Sequence, residues 1–175
     1  MPVNDIKIVI LGQDPYPNPK HANGLAFATK QVDFNKRPYS LKIIVDDLYW
    51  IDQNVLIDKE FDQSLLNWEK QGIFLINTSL TVMQGKPGSH SKYWDWFTTE
   101  VIRYLSQRRD NIIWFAWGKH AQSKTDILVN NDTHIVFKST HPAAARYGHE
   151  FNFTNKFIQA NEYLKEWGKD PIQWV

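Results

Sequence analysis

Four apolar runs rich in β-branched residues, at 7–11, 72–80, 111–117 and 134–140, constrain this chain more than any other feature. None alternates apolar and polar residues cleanly along its length. Each therefore reads as a strand buried on both faces, the habit of a parallel sheet. Helical patterns lie between them. Residues 40–51, SLKIIVDDLYWI, carry Ser40 at a capping position and put Leu41, Ile44, Val45 and Leu48 on one face. Residues 61–71, 95–108, 119–129 and 154–167 complete the set, with Phe97, Val101, Ile102 and Leu105 at helical spacing. The order strand, helices, strand, helix, strand, helix, strand, helix predicts an α/β sandwich around a mostly parallel sheet. With 175 residues, no repeat and no linker, the chain fits a single domain over 1–175.

Composition narrows the chemistry. The chain has no cysteine, which excludes disulfides, thiolate metal sites and cysteine nucleophiles. No apolar run approaches the ~20 residues that span a bilayer, and MPVNDIKIVIL lacks the basic start of a signal peptide. A cytoplasmic protein without membrane contact is the expectation. A net charge of +1 excludes nucleic-acid binding by bulk charge and leaves it to a local patch. Aromatics reach 14%, with eight tryptophans, so some rings are expected to line a groove.

In open α/β sheets, ligands bind beyond the carboxyl ends of the strands. The residues there are Gln13 and Asp14, Asn77 and Thr78, Trp117 and Gly118, and His141 and Pro142. Asp14, between Gln13 and Pro15, reads either as a turn aspartate or as a carboxylate held to orient water or to stabilise a cationic sugar. Asn77, late in a buried run, either bonds neighbouring backbone or reads a ligand with adjacent donor and acceptor groups, such as a nucleobase edge. His141 is either solvated or a donor to a developing negative charge. Phe27 and Tyr16 are either core residues or the floor and wall of a pocket for a flat ligand. Lys138, His141, Arg146, Tyr147, His149 and Lys156 form a basic-aromatic cluster, either a solvated face or a contact to phosphate with an inserting side chain. No HExxH spacing, Gly-rich phosphate loop or GxSxG elbow occurs, so metal binding, the common nucleotide hydrolyses and serine hydrolase chemistry lose support.

GQDPY at 12–16 followed by GLAF at 24–27 resembles the family 1 uracil-DNA glycosylases. LINT at 75–78, SH at 89–90, WG-HAQ at 117–122 and HP at 141–142 follow in that family's order, and the likeness runs from Ile6 to Trp174. The resemblance implies an α/β fold with a four-stranded, mostly parallel sheet flanked by helices on both faces. It also implies hydrolysis of the bond between uracil and DNA in base excision repair, with the base flipped out and with no metal or cofactor. Asp14 and His141 are then catalytic: the acid activates water and stabilises the sugar cation, and the neutral imidazole steadies the leaving base. Gln13, Tyr16, Phe27 and Asn77 hold the substrate, Tyr16 rejecting the 5-methyl of thymine. Pro38, Ser40, Ser89, His90, Ala143, Arg146 and Tyr147 fall where the family grips DNA. Expected partners are uracil-containing DNA, single- or double-stranded, and small acidic inhibitor proteins that mimic DNA; the chain is expected to be a monomer. A glycosylase-like DNA-binding or uracil-sensing protein with little turnover is the alternative, and a related glycosylase of different base selectivity a third reading.

The chain departs from the family pattern mainly in its DNA-gripping loops. Pro17 replaces the usual histidine, and Tyr39 replaces a proline before Ser40. Ala143 lacks a phosphate-gripping hydroxyl. Ala145 stands where a leucine usually inserts into the duplex, which leaves Arg146 or Tyr147 for that task. The SH loop is also one residue shorter. Weaker duplex grip with intact base chemistry is the expectation.

Overall fold

A computed structural model describes residues 1–30, 33–49, 51 and 61–175, with Phe34 described through its backbone alone. Four strands, β1 (Ile8–Gly12), β2 (Ile73–Asn77), β3 (Ile113–Trp117) and β4 (Ile135–Ser139), form one sheet in the order β2-β1-β3-β4. Every pairing is parallel, with Ile8 opposite both Ile73 and Ile113. Among the described residues the helices are α1 (Tyr39–Leu48), α2 (Leu66–Lys70), α3 (Ser91–Arg108), α4 (Lys119–Leu128) and α5 (Thr154–Glu166). The α/β architecture expected from the sequence is the one observed.

The central strands β1 and β3 are buried at every position because both faces of the sheet are covered there, whereas the edge strands β2 and β4 are partly exposed, short of the two-sided burial their sequences suggest. Ile8, Ile10, Phe115 and Trp117 pack with Leu41 and Ile44 of α1, Trp68 of α2 and Phe157 of α5. Val9, Leu11, Trp114 and Ala116 point the other way, onto Ile102 and Leu105 of α3 and Ala121 of α4. Most of the aromatic excess lies in the first of these layers, where Phe115, Trp117, Phe153, Phe157 and Trp174 meet edge to face or stacked. Some rings line a groove as expected, Tyr16, Phe27, Tyr39, Phe74 and Phe97 among them.

Two helix boundaries differ from the sequence reading. The segment 61–71 is helical only from Leu66, because Asp62 captures the chain first. Its Oδ1 accepts from the Ser64 N–H and its Oδ2 from the Asn67 N–H, both at 3.0 Å, and Leu65 turns through φ 52°. Conversely α3 begins at Ser91, four residues before the apolar periodicity becomes visible. The pattern at 40–51 is helical from Tyr39 to Leu48; residue 50 lies outside the described residues.

Candidate active site

The sheet order places the ends of β1 and β3 side by side while their following chains leave in different directions, which opens a crevice at the carboxyl edge. A cleft of about 960 Å³ lies there. Gln13, Asp14, Tyr16, Phe27, Asn77 and His141 all line it, joined by Pro38, Ser40, Ala143 and Arg146. Ser89, His90 and Tyr147 stand outside this lining: the first two on the loop leading into α3, the third on the short 3-10 turn Pro142–Tyr147.

Asp14 lies two residues beyond the end of β1 at Gly12. Its Oδ2 accepts from the Gln13 side-chain amide and from the Gly88 N–H, both at 2.9 Å. Its Oδ1 is buried and accepts no hydrogen bond from the described residues. One oxygen is therefore held by the protein while the other is left for a water molecule. Gln13 uses its side chain to orient the acid, a role distinct from the substrate contact that the resemblance implies.

Asn77 ends β2 directly opposite Gly12, the last residue of β1. The apolar run read from the sequence ends at Leu11, but Gly12 is still part of the strand, and its missing side chain serves Asn77. A Cβ on Gly12 would lie 2.2 Å from Asn77 Oδ1. Asn77 is only 6% exposed, yet no described residue hydrogen-bonds its side-chain amide. The amide faces the cleft, and its donor and acceptor are left there for a ligand.

Gly118 does the same for His141. It adopts φ 88°, and a Cβ there would come within 2.8 Å of the His141 Cβ. The Ala143 N–H donates to His141 Nδ1 at 3.1 Å. Nδ1 is thus the acceptor nitrogen, and the neutral ring carries its proton on Nε2. Burial lowers the imidazole pKa further below its ordinary value, which also favours the neutral form.

Phe27 sits at φ 63°, a left-handed conformation that a bulky residue adopts only when its surroundings impose it. Its carbonyl accepts from the Tyr16 hydroxyl at 2.9 Å, and its ring meets Trp117 edge-on and tilts toward His141 at 5.8 Å. The strained backbone turns the ring toward the cleft. Burial raises the Tyr16 phenol pKa well above its usual value, so the wall it forms stays neutral.

The basic-aromatic cluster separates in three dimensions. Lys138 pairs with Asp126 at 2.5 Å, and Lys156 lies over the Phe137 ring, both away from the cleft. Arg146 stays, its guanidinium 4.2 Å from the centre of the Tyr39 ring. That contact joins Tyr39, which departs from the family pattern, to a candidate for the inserting role, and it bridges the start of α1 to the Pro142–Tyr147 turn. Tyr147 is 82% exposed at the tip of that turn. Ser89 Oγ accepts from the Met83 N–H at 2.8 Å, His90 Nδ1 lies 2.9 Å from Thr81 Oγ1, and Pro17 accepts from the Gly85 N–H. Pro17 thus stiffens the loop after Asp14 and ties it to the hairpin before α3.

Sequence inspection passes over His120, although it lies in the quoted WG-HAQ stretch. Its Nε2 is 2.6 Å from Thr78 Oγ1, and it stands close enough to Asp14 to feel its charge. Burial and Lys124 nevertheless hold its pKa below the ordinary value. Gly88 is missed too, for a simpler reason: a backbone N–H has no sequence signature. Among the described residues no group of three or more potential ligands gathers as a metal site, and no helix is long and apolar enough to cross a membrane.

An open, all-parallel α/β sheet whose carboxyl edge combines a water-accepting carboxylate, an uncommitted amide and a neutral imidazole beside a strained ring defines a protein of the base-recognising, bond-hydrolysing class. Comparison with known proteins narrows that class. The uracil DNA glycosylase superfamily matches residues 1–165. The uracil-DNA glycosylase of Bacillus subtilis strain 168 is 40% identical over 172 residues, covering 98% of this chain and 74% of its own length. That of Azotobacter vinelandii is 40% identical over 174 residues, covering 99% of this chain and 72% of its own. The crystal structure of mimivirus uracil-DNA glycosylase superposes with a TM-score of 0.87 at 31% identity, over 99% of this chain and 69% of that one. The chain belongs to the uracil DNA glycosylase superfamily.

Proposed function

We infer that this protein is a uracil-DNA glycosylase: it takes uracil out of the DNA stack and hydrolyses its N-glycosidic bond, leaving an abasic site for base excision repair. One observation carries the reading beyond the family: a carboxylate with one oxygen free and an imidazole with its proton on Nε2 line the same cleft. Expelling the base leaves positive charge on the sugar and negative charge on uracil. Asp14 answers the first and aligns water for attack on the anomeric carbon; His141 Nε2–H donates to the second. The Asn77 amide reads the uracil edge, Phe27 stacks on the ring, and Tyr16 excludes a 5-methyl group. A site built for reading and cleaving in this way argues against a mere uracil sensor, which has no need of both charged-state stabilisers.

For the DNA grip, Ser40, Ser89, His90 and the Ala143 region contact the backbone beside the flipped nucleotide. Of the two candidates for the inserting role, exposure favours Tyr147, whereas Arg146 is held against Tyr39. The whole cleft is lined by one chain, so a monomer suffices. The mimivirus enzyme has been solved in complex with UGI, and we propose that a DNA-mimicking inhibitor of that kind also docks on this cleft; titration with UGI checks it.

The decisive experiment incubates pure protein with a uracil-containing oligonucleotide and looks for alkali-labile abasic sites, with Asp14→Asn as the control. Strand cleavage by the wild type and a loss of roughly 10²–10⁴-fold in the variant is the expected outcome. No abasic sites with the wild-type protein overturns the reading.

A further inference from the structure

The first two turns of α3 leave two large rings outside the hydrophobic core. Tyr93 is 70% exposed and Trp96 69% exposed, and neither belongs to the two hydrophobic clusters of the core. They lie three residues apart on one helix face and, with His90, Trp94, Phe97 and Thr81, line a shallow hollow of about 380 Å³. Exposed aromatics grouped in this way mark a contact surface.

The hollow is built on a fixed base. Trp94 is anchored, its Nε1–H donating to Thr81 Oγ1 at 2.8 Å, and the same hydroxyl lies 2.9 Å from His90 Nδ1. The His90 ring in turn meets Tyr93 edge-on at 6.0 Å. The surface is continuous with the catalytic cleft. Gly88, whose N–H holds Asp14, precedes Tyr93 by five residues, no more than about 19 Å of backbone. Phe97 lines both the hollow and the cleft. The charges around it also point to a polyanion. The nearby acids are neutralised, Asp95 by Lys124 and Glu100 by Arg103, while no acid among the described residues pairs with the exposed Lys86 and Lys92.

We propose that Tyr93 and Trp96 form a stacking platform for unpaired bases that flank the uracil on a single DNA strand, extending the grip beyond the nucleotide in the cleft. The proposal rests on the glycosylase reading for the identity of the strand. Flat rings beside free cations bind single strands because every unpaired base offers a π-face, whereas a duplex has its bases stacked on one another.

The test is fluorescence anisotropy of a labelled, uracil-free oligothymidylate and of the same strand in duplex, against wild type, Tyr93→Ala/Trp96→Ala and Tyr93→Phe/Trp96→Phe. The alanine pair is expected to weaken single-strand binding about tenfold or more and duplex binding by less than about twofold, with the phenylalanine pair close to wild type. Unchanged single-strand affinity in the alanine pair overturns the platform, and so does an equal loss on both DNAs. If the alanine pair fails to fold, Trp96→Leu against Trp96→Phe decides: equal binding by leucine and phenylalanine overturns an aromatic role. Self-association in sedimentation that Trp96→Ala abolishes assigns the face to a second copy instead and overturns the proposal. Because the probe carries no uracil, absence of turnover in the wild type overturns the glycosylase reading alone.

Discussion

Gly12 and Gly118 each position a functional side chain by lacking one of their own. At Gly118 the constraint is double: a positive φ and a contact that a methyl group would push into His141. Gly118→Ala is therefore expected to cost roughly 10²-fold in kcat, since small displacements of a reacting group carry penalties of that size. KM should move little; steady-state kinetics on a uracil-containing strand checks it. His141 carries a second prediction. Burial lowers its pKa, so its neutral, donating form persists below the ordinary imidazole value of 6.5 and is lost only when pH falls further. The acid limb of kcat contributed by His141 should thus lie below pH 6.5, and His141→Gln should remove that limb along with roughly 10²–10³-fold of the rate. A pH profile with an inflection above the ordinary value contradicts this.

At the scale of elements, α1 and the Pro142–Tyr147 turn behave as one support for the DNA side of the cleft. Tyr39 and Arg146 join them at one end. The far end of α1 is tied instead to the start of α5: Asp47 accepts from the Phe153 N–H at 3.1 Å, and its backbone carbonyl accepts from Thr154 Oγ1. Burial pushes the Asp47 carboxyl up to about 6, against the opposing pull of these hydrogen bonds. The folded state therefore holds this proton more tightly than the unfolded chain, so the contribution of Asp47 to stability is greatest below the ordinary carboxylate pKa and is lost as pH rises through about 6. Asp47→Asn keeps an acceptor for Phe153 and removes the ionisation. Its Tm, relative to wild type, should rise between acid and neutral pH; a relative Tm that is flat or falls over that window refutes the assignment.

For the whole molecule, the proposed function separates base chemistry from DNA grip. The six cleft residues proposed to read and cleave the base sit at strand ends or on the loop after β1, all referred to one sheet. The residues that depart from the family pattern sit around it: Pro17 on the loop after β1, Tyr39 at the first position of α1, and Ala143 and Ala145 on the Pro142–Tyr147 turn. The consequence is a protein whose turnover of a single strand depends little on those loops. Tyr147→Ala is expected to raise KM on a duplex by roughly tenfold and to leave a matched single strand within about twofold, because only the duplex has a vacated stack to fill. Equal effects on both substrates would sink this division of labour.

The strand pattern, the alternation with helices and the gathering of Asp14, Asn77 and His141 at one edge were legible in the sequence because they follow from local periodicity and a topological rule. Long-range geometry was not. That Asn77 is left without a partner, that Gly12 serves a neighbouring strand and that His120 and the Gly88 N–H stand around Asp14 depend on chain segments dozens of residues apart. The basic-aromatic run at 138–156 divided for the same reason: Lys138 found Asp126 on α4 and Lys156 found Phe137, while Arg146 found Tyr39. Sequence by itself determined which residues form the sheet and which chemistry its edge can carry, since burial on two faces leaves a readable apolar signature. Tertiary structure decided which polar atoms remain uncommitted and which rings remain outside, because hydrogen-bond satisfaction and exposure are set only when distant segments meet.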